Sequence, residues 1–416
     1  MHPVPLITND AVVLGILMGV LALVFKTSHS QHPFFKKIYK FIPAIFLMYF
    51  IPGILASTGL ISGHHSDLYF VASRYLLPAC LVLLTLSIDL KGIMKLGSKA
   101  VIMFFAGTAG VLIGAPIALF VTAWIFPTVL DGVGADAVWK GMTTLAGSWI
   151  GGGANQTAMK EVYHVGDDIF SVFIAVDVIC ANIWMAFLLF MAGNHKAFDK
   201  WLKADTSSIE RLKEQTASYQ AEISKIPTLQ DLIILCGVAF GVTGASHFMA
   251  DILAPFLNDH YPVLAKFSLT SKFFWLIILA TTGGLILSFT KARRLEGVGA
   301  TRVGSAFLYI LVATIGMKMN LMAIADSPHL FLIGMIWILI HAAILLFTAK
   351  IIKAPSLFIA VGSQANIGGA ATAPIVASAF SPTLAPVGVL LAVLGYAVGT
   401  YAAWMVGQIL RISVGA

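Results

Sequence analysis

Long apolar blocks separated by short polar ones dominate the chain. A helix needs about 20 consecutive apolar residues to cross a bilayer core. By that criterion the pattern predicts spans near 10–25, 41–60, 68–90, 99–126, 168–192, 229–252, 271–290, 303–325, 328–349 and 385–410. Two more stretches, about 138–163 and 355–380, are apolar enough to be buried but are broken by Gly, Pro and amides. The first contains "GSWIGGGANQTA", Gly147 to Ala158, whose consecutive glycines interrupt a helix and are followed at once by Asn155, Gln156 and Thr157. One long hydrophilic segment, 195–228, reads as a linker with helical character.

Composition agrees with the pattern. The 416 residues are 59% hydrophobic and 11% charged, against about 25% charged in soluble domains, and the mean hydropathy is +0.91. The fold class is therefore an all-α polytopic membrane protein. The formal charge of +7 does not imply a nucleic-acid partner, because the basic residues sit in short loops between apolar runs. Cys80, Cys180 and Cys236 each lie inside an apolar run without CxxC spacing and read as packing residues. The N-terminus lacks the positive region of a secretory signal, so 10–25 counts as the first span. No HExxH, GxSxG or phosphate loop suggests an enzyme.

Positive charge orients the spans. Lys36 and Lys37 follow the first, Lys91 and Lys95 the third, Lys291, Arg293 and Arg294 the seventh, and Lys350 and Lys353 the ninth. With basic loops cytoplasmic, the N-terminus lies outside and the linker inside the cell's inner membrane, provided that 138–163 enters and returns on one side. A shift of 215 residues also lays "GSWIGGGANQTA" on "GSQANIGGAATA" without a gap, and a shift of 229 carries 99–126 onto 328–349. Each half then holds five spans and one re-entrant or broken-helix hairpin. Five is odd, so the halves, 1–194 and 229–416, are expected as inverted repeats, an architecture of secondary transporters with midplane sites.

Through "GSWIGGGANQTAMKEVY" and "GSQANIGGAATAP" the chain resembles the YjcL-like integral membrane family over nearly its full length. That family is distantly similar to ion transporters that include sodium/glutamate, sodium/citrate and bile acid symporters and sodium/proton antiporters. The resemblance implies a core carrying the hairpins, 68–192 and 303–410, that moves against a panel, 10–60 and 229–290, in a homodimer.

The hairpins supply the candidate site. Non-helical backbone at membrane depth needs protein or a water-filled cavity to satisfy its polar groups. The expected solute-binding residues are Ser148, Gly152, Gly153, Ser363, Gly368 and Gly369, where freed backbone N–H groups suit an anion. Asn155, Gln156, Thr157, Gln364, Asn366 and Thr372 offer neutral oxygens suited to Na⁺, or else cap the broken helix ends. Asp177, in "FSVFIAVDVICANIW" with Asn182 five residues on, is the sharpest candidate. A carboxylate at that depth costs at least about 2.5 kcal/mol on insertion scales and is by default an ion ligand or proton carrier. The alternative is an Asp bonded to helix ends. Asp89 and Lys318 coincide under the 229 shift and lie towards span ends; His341 reads as a packed hydrogen-bonding residue, and His64 to Asp67 as a solvated loop.

Three function classes follow. The first is a Na⁺- or H⁺-coupled, elevator-like secondary transporter of a small organic anion such as an amino acid, small peptide or carboxylate. The second is a monovalent cation/proton antiporter, and the third a non-transporting membrane sensor or structural protein. No cofactor is expected beyond Na⁺ as coupling ion. Orientation is directly testable: a cysteine placed at Ser207 should react with an impermeant thiol reagent only after the membrane is opened from the cytoplasmic side. Labelling in intact cells would mean that 138–163 crosses the bilayer.

Overall fold

The computed structural model describes residues 4–130, 133–206, 209 and 227–416. Residues 207–208 and 210–226 of the expected linker lie outside the described residues; its start, His195–Leu202, is a helix. Among the described residues there is helix and no strand.

Each expected span overlaps a helix: α1 Asp10–Ser28, α2 Ala44–Ser57, α3 Leu68–Leu86, α4 Ser98–Ile125, α5 Asp167–Gly193, α6 Leu229–His260, α7 Lys272–Ser288, α8 Ala300–Gly316, α9 Leu330–Ile352 and α10 Ala385–Ser413. Polar residues set the boundaries. The Asn9 side chain caps α1, and Thr228 and Asp231 form a reciprocal capping box on α6. Of the ten, α1, α3, α4, α5, α6 and α9 are long and apolar enough alone to cross a membrane, as is α10 taken from Pro382. The helix α7 reaches that length only with Lys291–Val298, which bends away by 97°.

One expected span needs correction. The stretch 303–325 is not continuous: α8 ends at Gly316, and a separate turn of helix, Leu321–Asp326, begins after the Asn320 side chain accepts from the Met322 and Ala323 N–H groups. A side chain that satisfies orphan N–H groups in this way starts a new helix instead of continuing the old one.

Both interrupted stretches fold back on themselves. In Val138–Val162, Gly152 adopts φ 76° and ψ −174°, open to a residue without Cβ, and separates arms 138–151 and 153–162. Were this one straight helix, Trp139 and Tyr163 would stand about 36 Å apart; their rings meet edge-on at 5.9 Å. Gly166 N–H also donates to Ala135 O at 2.8 Å, closing the stem. Gly147 permits the close approach of the arms, since a Cβ there would lie 2.6 Å from Asn155 O. The second hairpin, 356–380, consists of Ser356–Ile367 and Gly369–Phe380, with Gly369 at φ 57° at its tip. Gln364 Nε2 donates across the tip to Thr372 Oγ1 at 2.6 Å.

The loops gather at two ends of the bundle. At one end Lys99 pairs with Asp205 at 3.0 Å, Asp205 N–H donates to Lys353 O, and Ser356 N–H donates to Asp199 at 2.7 Å, so the second hairpin opens here, among the basic loops. At the other end Gly63 N–H donates to Met317 O, and Asn320 Nδ2 to Asp168 at 2.9 Å, beside the stem of the first hairpin.

Packing divides the helices into two groups. One comprises α1, α2, α3, α6, α7 and α8; the other comprises α4, α5, α9, α10 and both hairpins. The family resemblance implies 68–90 and 303–325 in one body with the hairpins; among the described residues α3 and α8 pack chiefly on each other and on α2, α6 and α7. Membrane helices are apolar on all sides, so their sequences carry no stripe that marks the packing face. The hairpin geometry gives a stability test by thermal unfolding in detergent. Gly147→Ala, which forces two backbones apart, should destabilise by roughly 1–3 kcal/mol. Gly237→Ala on α6, with nothing within 4 Å of its Cβ, should leave the melting temperature unchanged or raise it. Equal behaviour of the two would contradict the close approach of the arms.

Candidate functional site

Asp177 on α5 faces the first hairpin. Ser148 Oγ lies 2.5 Å from its Oδ2, Trp149 Nε1 donates to Oδ1 at 2.8 Å, and Gln156 Nε2 donates to Oδ2 at 3.4 Å. Indole N–H can only donate, so Oδ1 is always an acceptor. Oδ2 has two states open to it. It accepts from the Ser148 hydroxyl when ionised and donates to the same oxygen when protonated. All three partners are neutral, among the described residues no ion pair compensates the carboxylate, and its side chain is only partly covered. A charge at that depth then calls for a proton or a bound cation.

Asn155 and Asn366 use their amides structurally. Asn155 Nδ2 donates to Gly151 O at 3.0 Å and to Tyr396 O of α10 at 3.1 Å, while Thr400 Oγ1 donates to its Oδ1. Asn366 repeats the arrangement on α4: Nδ2 donates to Gly362 O and Phe104 O, both at 2.9 Å, and Thr108 Oγ1 donates to Oδ1 at 2.8 Å. In both, the amide binds the carbonyl four residues back, one carbonyl of a crossing helix and the threonine four residues beyond that carbonyl. The two amides therefore clamp hairpin to helix.

The remaining candidates divide by neighbourhood. Ser148 and Gln156 join Asp177, whereas Thr157 and Asn182 bond within their own helices, to Gly153 O at 3.0 Å and Val178 O at 2.6 Å. Ser363 accepts from Trp184 Nε1 at 2.7 Å and meets His341 Nε2 at 2.8 Å; His341 Nδ1 donates to Gly107 O at 3.0 Å, which leaves Nε2 to accept from the Ser363 hydroxyl. This gives His341 a packing role. Gln364 is buried, and its Oε1 has no donor among the described residues. Gly152 and Gly153 form the first tip, Gly368 and Gly369 the second. On α10, a Cβ at Gly395 would meet Ile150 O at 2.7 Å and Ala365 O at 3.2 Å, so this helix passes between both hairpins near their tips.

A second polar cluster lies at the first hairpin's stem, and of its members the sequence analysis singles out Lys318. Arg74 pairs with Glu161 at 2.7 Å, Lys160 with Asp167 at 2.6 Å, and Tyr69 OH bonds Glu161. The Lys318 ammonium sits over the Tyr69 ring at 4.4 Å, and burial lowers its pKa while Asp167 opposes the shift. Arg74 lies in a π-helical turn, Ala72–Leu76, within α3. Asp89 and Lys318, matched by the 229 shift, are at opposite ends of the bundle; Asp89 caps Leu90–Lys95 and pairs with Arg293. Among the described residues no cluster could hold a metal through His, Cys, Asp and Glu.

The clamps predict a folding phenotype. Asn155→Ala and Asn366→Ala each leave buried carbonyl and hydroxyl groups unpaired and should destabilise by about 1–3 kcal/mol. Thermal unfolding would show it, and unchanged melting of both would mean that the amides are free for a ligand.

Comparison with known proteins gives the family. The chain is 25% identical over 367 residues, 82% of this chain and 84% of the relative, to the uncharacterized membrane protein YjcL of Bacillus subtilis (strain 168). The family model described as Protein of unknown function (DUF819) matches residues 15–413. A match that runs from α1 to the last turn of α10 includes both hairpins and Asp177, and the chain belongs to the DUF819 family.

Proposed function

We propose that the protein is a cation-coupled secondary transporter of a small organic anion. The observation that carries this reading is Asp177: a carboxylate deep in an apolar bundle, held by three neutral partners beside a broken helix. Its oxygens take either a proton or, with Ser148 and Gln156, a dehydrated Na⁺. The unpartnered Gln364 Oε1 offers a further neutral oxygen in the second hairpin. Anionic solutes are favoured because a helical arm starts after each tip, at Gly153 and at Gly369, and helix N-termini favour negative charge.

Transport would proceed by movement of the hairpin-bearing group against α1, α2, α3, α6, α7 and α8. The hairpins open towards opposite ends of the bundle and meet along α10, which suits alternating access from the two sides. In the same reading the protein lies in the inner membrane with its basic loops cytoplasmic, as a homodimer held by the panel helices α1, α2, α6 and α7. A monovalent cation/proton antiporter is the second reading, favoured by the ability of Oδ2 to exchange a proton with no change in its partners.

Proteoliposomes given a panel of organic anions, with imposed Na⁺ or pH gradients, separate the readings. Gradient-driven uptake supports the symporter, and Na⁺ flux driven by a pH difference without any organic solute supports the antiporter. Asp177→Asn keeps size and hydrogen bonding but removes the titratable charge. It should reduce coupled transport to the level of empty liposomes with the melting temperature preserved, and wild-type transport by this variant would return Asp177 to a structural role.

A further inference from the structure

At the basic end of the bundle a cavity of about 530 Å³ lies between the surface helix His195–Leu202 and the open stem of the second hairpin. Its walls are chemically unlike. One side carries His195, Lys196, Lys200 and Lys203; the other is apolar, with Leu357 from the first arm, Phe380 from the second and Leu384. Lys196 and Lys200 are one helical turn apart, and Lys203 stands at the left-handed residue that ends the helix, so three ammonium groups line one stripe. All three are exposed, and none forms an ion pair among the described residues. Asp199, the one carboxylate in the lining, is already engaged as acceptor from Ser356 N–H. Like charges at this spacing repel, and an anion relieves them.

The depth of the helix says more about the ligand. It begins two residues after α5 leaves the apolar layer at Gly193, and it buries Leu202 while Trp201 remains more than half exposed. The Lys350 ammonium covers the Trp201 ring at 4.7 Å. A surface helix with lysines on one face and an exposed tryptophan rests where headgroups meet acyl chains. We propose that this cavity binds an anionic phospholipid, with the phosphate at Lys196, Lys200 and Lys203 and the first acyl segment against Leu357 and Phe380. Because those two apolar residues belong to the two arms of one hairpin, the bound lipid would brace its stem. The inference does not rest on the transport reading.

Native mass spectrometry of the full chain in neutral detergent tests it, with phosphatidylglycerol and phosphatidylcholine titrated separately. Phosphatidylglycerol should be retained much more tightly, and K196Q/K200Q/K203Q should weaken its binding by about a hundredfold. K196R/K200R/K203R should keep it. Equal retention of the two lipids by the unmodified protein, which needs no variant to fold, would overturn the proposal, as would undiminished binding to a folded triple glutamine variant. Competition by inorganic phosphate at concentrations similar to the lipid would instead assign the site to a soluble phosphate compound.

Discussion

Backbone amides have nowhere to go in an apolar bundle, and twice in this protein the helix that would satisfy them is broken. Both times an asparagine beside the break ties it to a helix running past. Asn155 holds the first hairpin to α10 and Asn366 holds the second to α4, each through one carbonyl and one threonine hydroxyl. Neither residue maps onto the other under the 215-residue shift, since Asn155 follows its break and Asn366 precedes its own. The same clamp has been built from different arms. That points to a physical demand, the satisfaction of polar groups where water is absent, more than to inherited position.

The clamps also decide what surrounds Asp177. By holding the first hairpin against α10, they present Ser148, Trp149 and Gln156 to α5 as a set of neutral partners. Trp149 packs in turn on Trp337 of α9, with ring centroids 5.2 Å apart, so the donor to Oδ1 has little room to swing away. The carboxylate is thereby held firmly, by neutral partners alone among the described residues. Ionic contacts are concentrated elsewhere. Arg74 and Glu161 join α3 to the first hairpin at one end of the bundle, and Asn320 adds a bond to Asp168 of α5.

Much of the architecture could be read from the sequence because the length of an apolar run is a direct physical statement about a bilayer. The positions of ten helices followed from it, as did both hairpins, announced by glycines with amides close by. The overshoot at 303–325 had its signal too, since Lys318 and Asn320 interrupt the run where the structure turns. What pattern alone did not reveal is which polar groups meet. Thr108, Thr400 and Trp149 are unremarked in their own segments, and only the fold brings them to Asn366, Asn155 and Asp177. Likewise Arg74, a charge inside an apolar run, was a legible warning of the stem cluster, while its partner Glu161 lies 87 residues away.

The π-helical turn at Ala72–Leu76 has a consequence for how this chain tolerates change in length. Such a turn carries one residue more than an α-helix would. Deleting one of its residues other than Arg74 would let α3 continue as a regular helix. Yet everything N-terminal to the deletion would rotate by about 100° about the helix axis, taking Tyr69 away from Glu161 and Lys160. Residue count at this turn is thus a constraint of its own, separate from the pairing of Arg74 with Glu161.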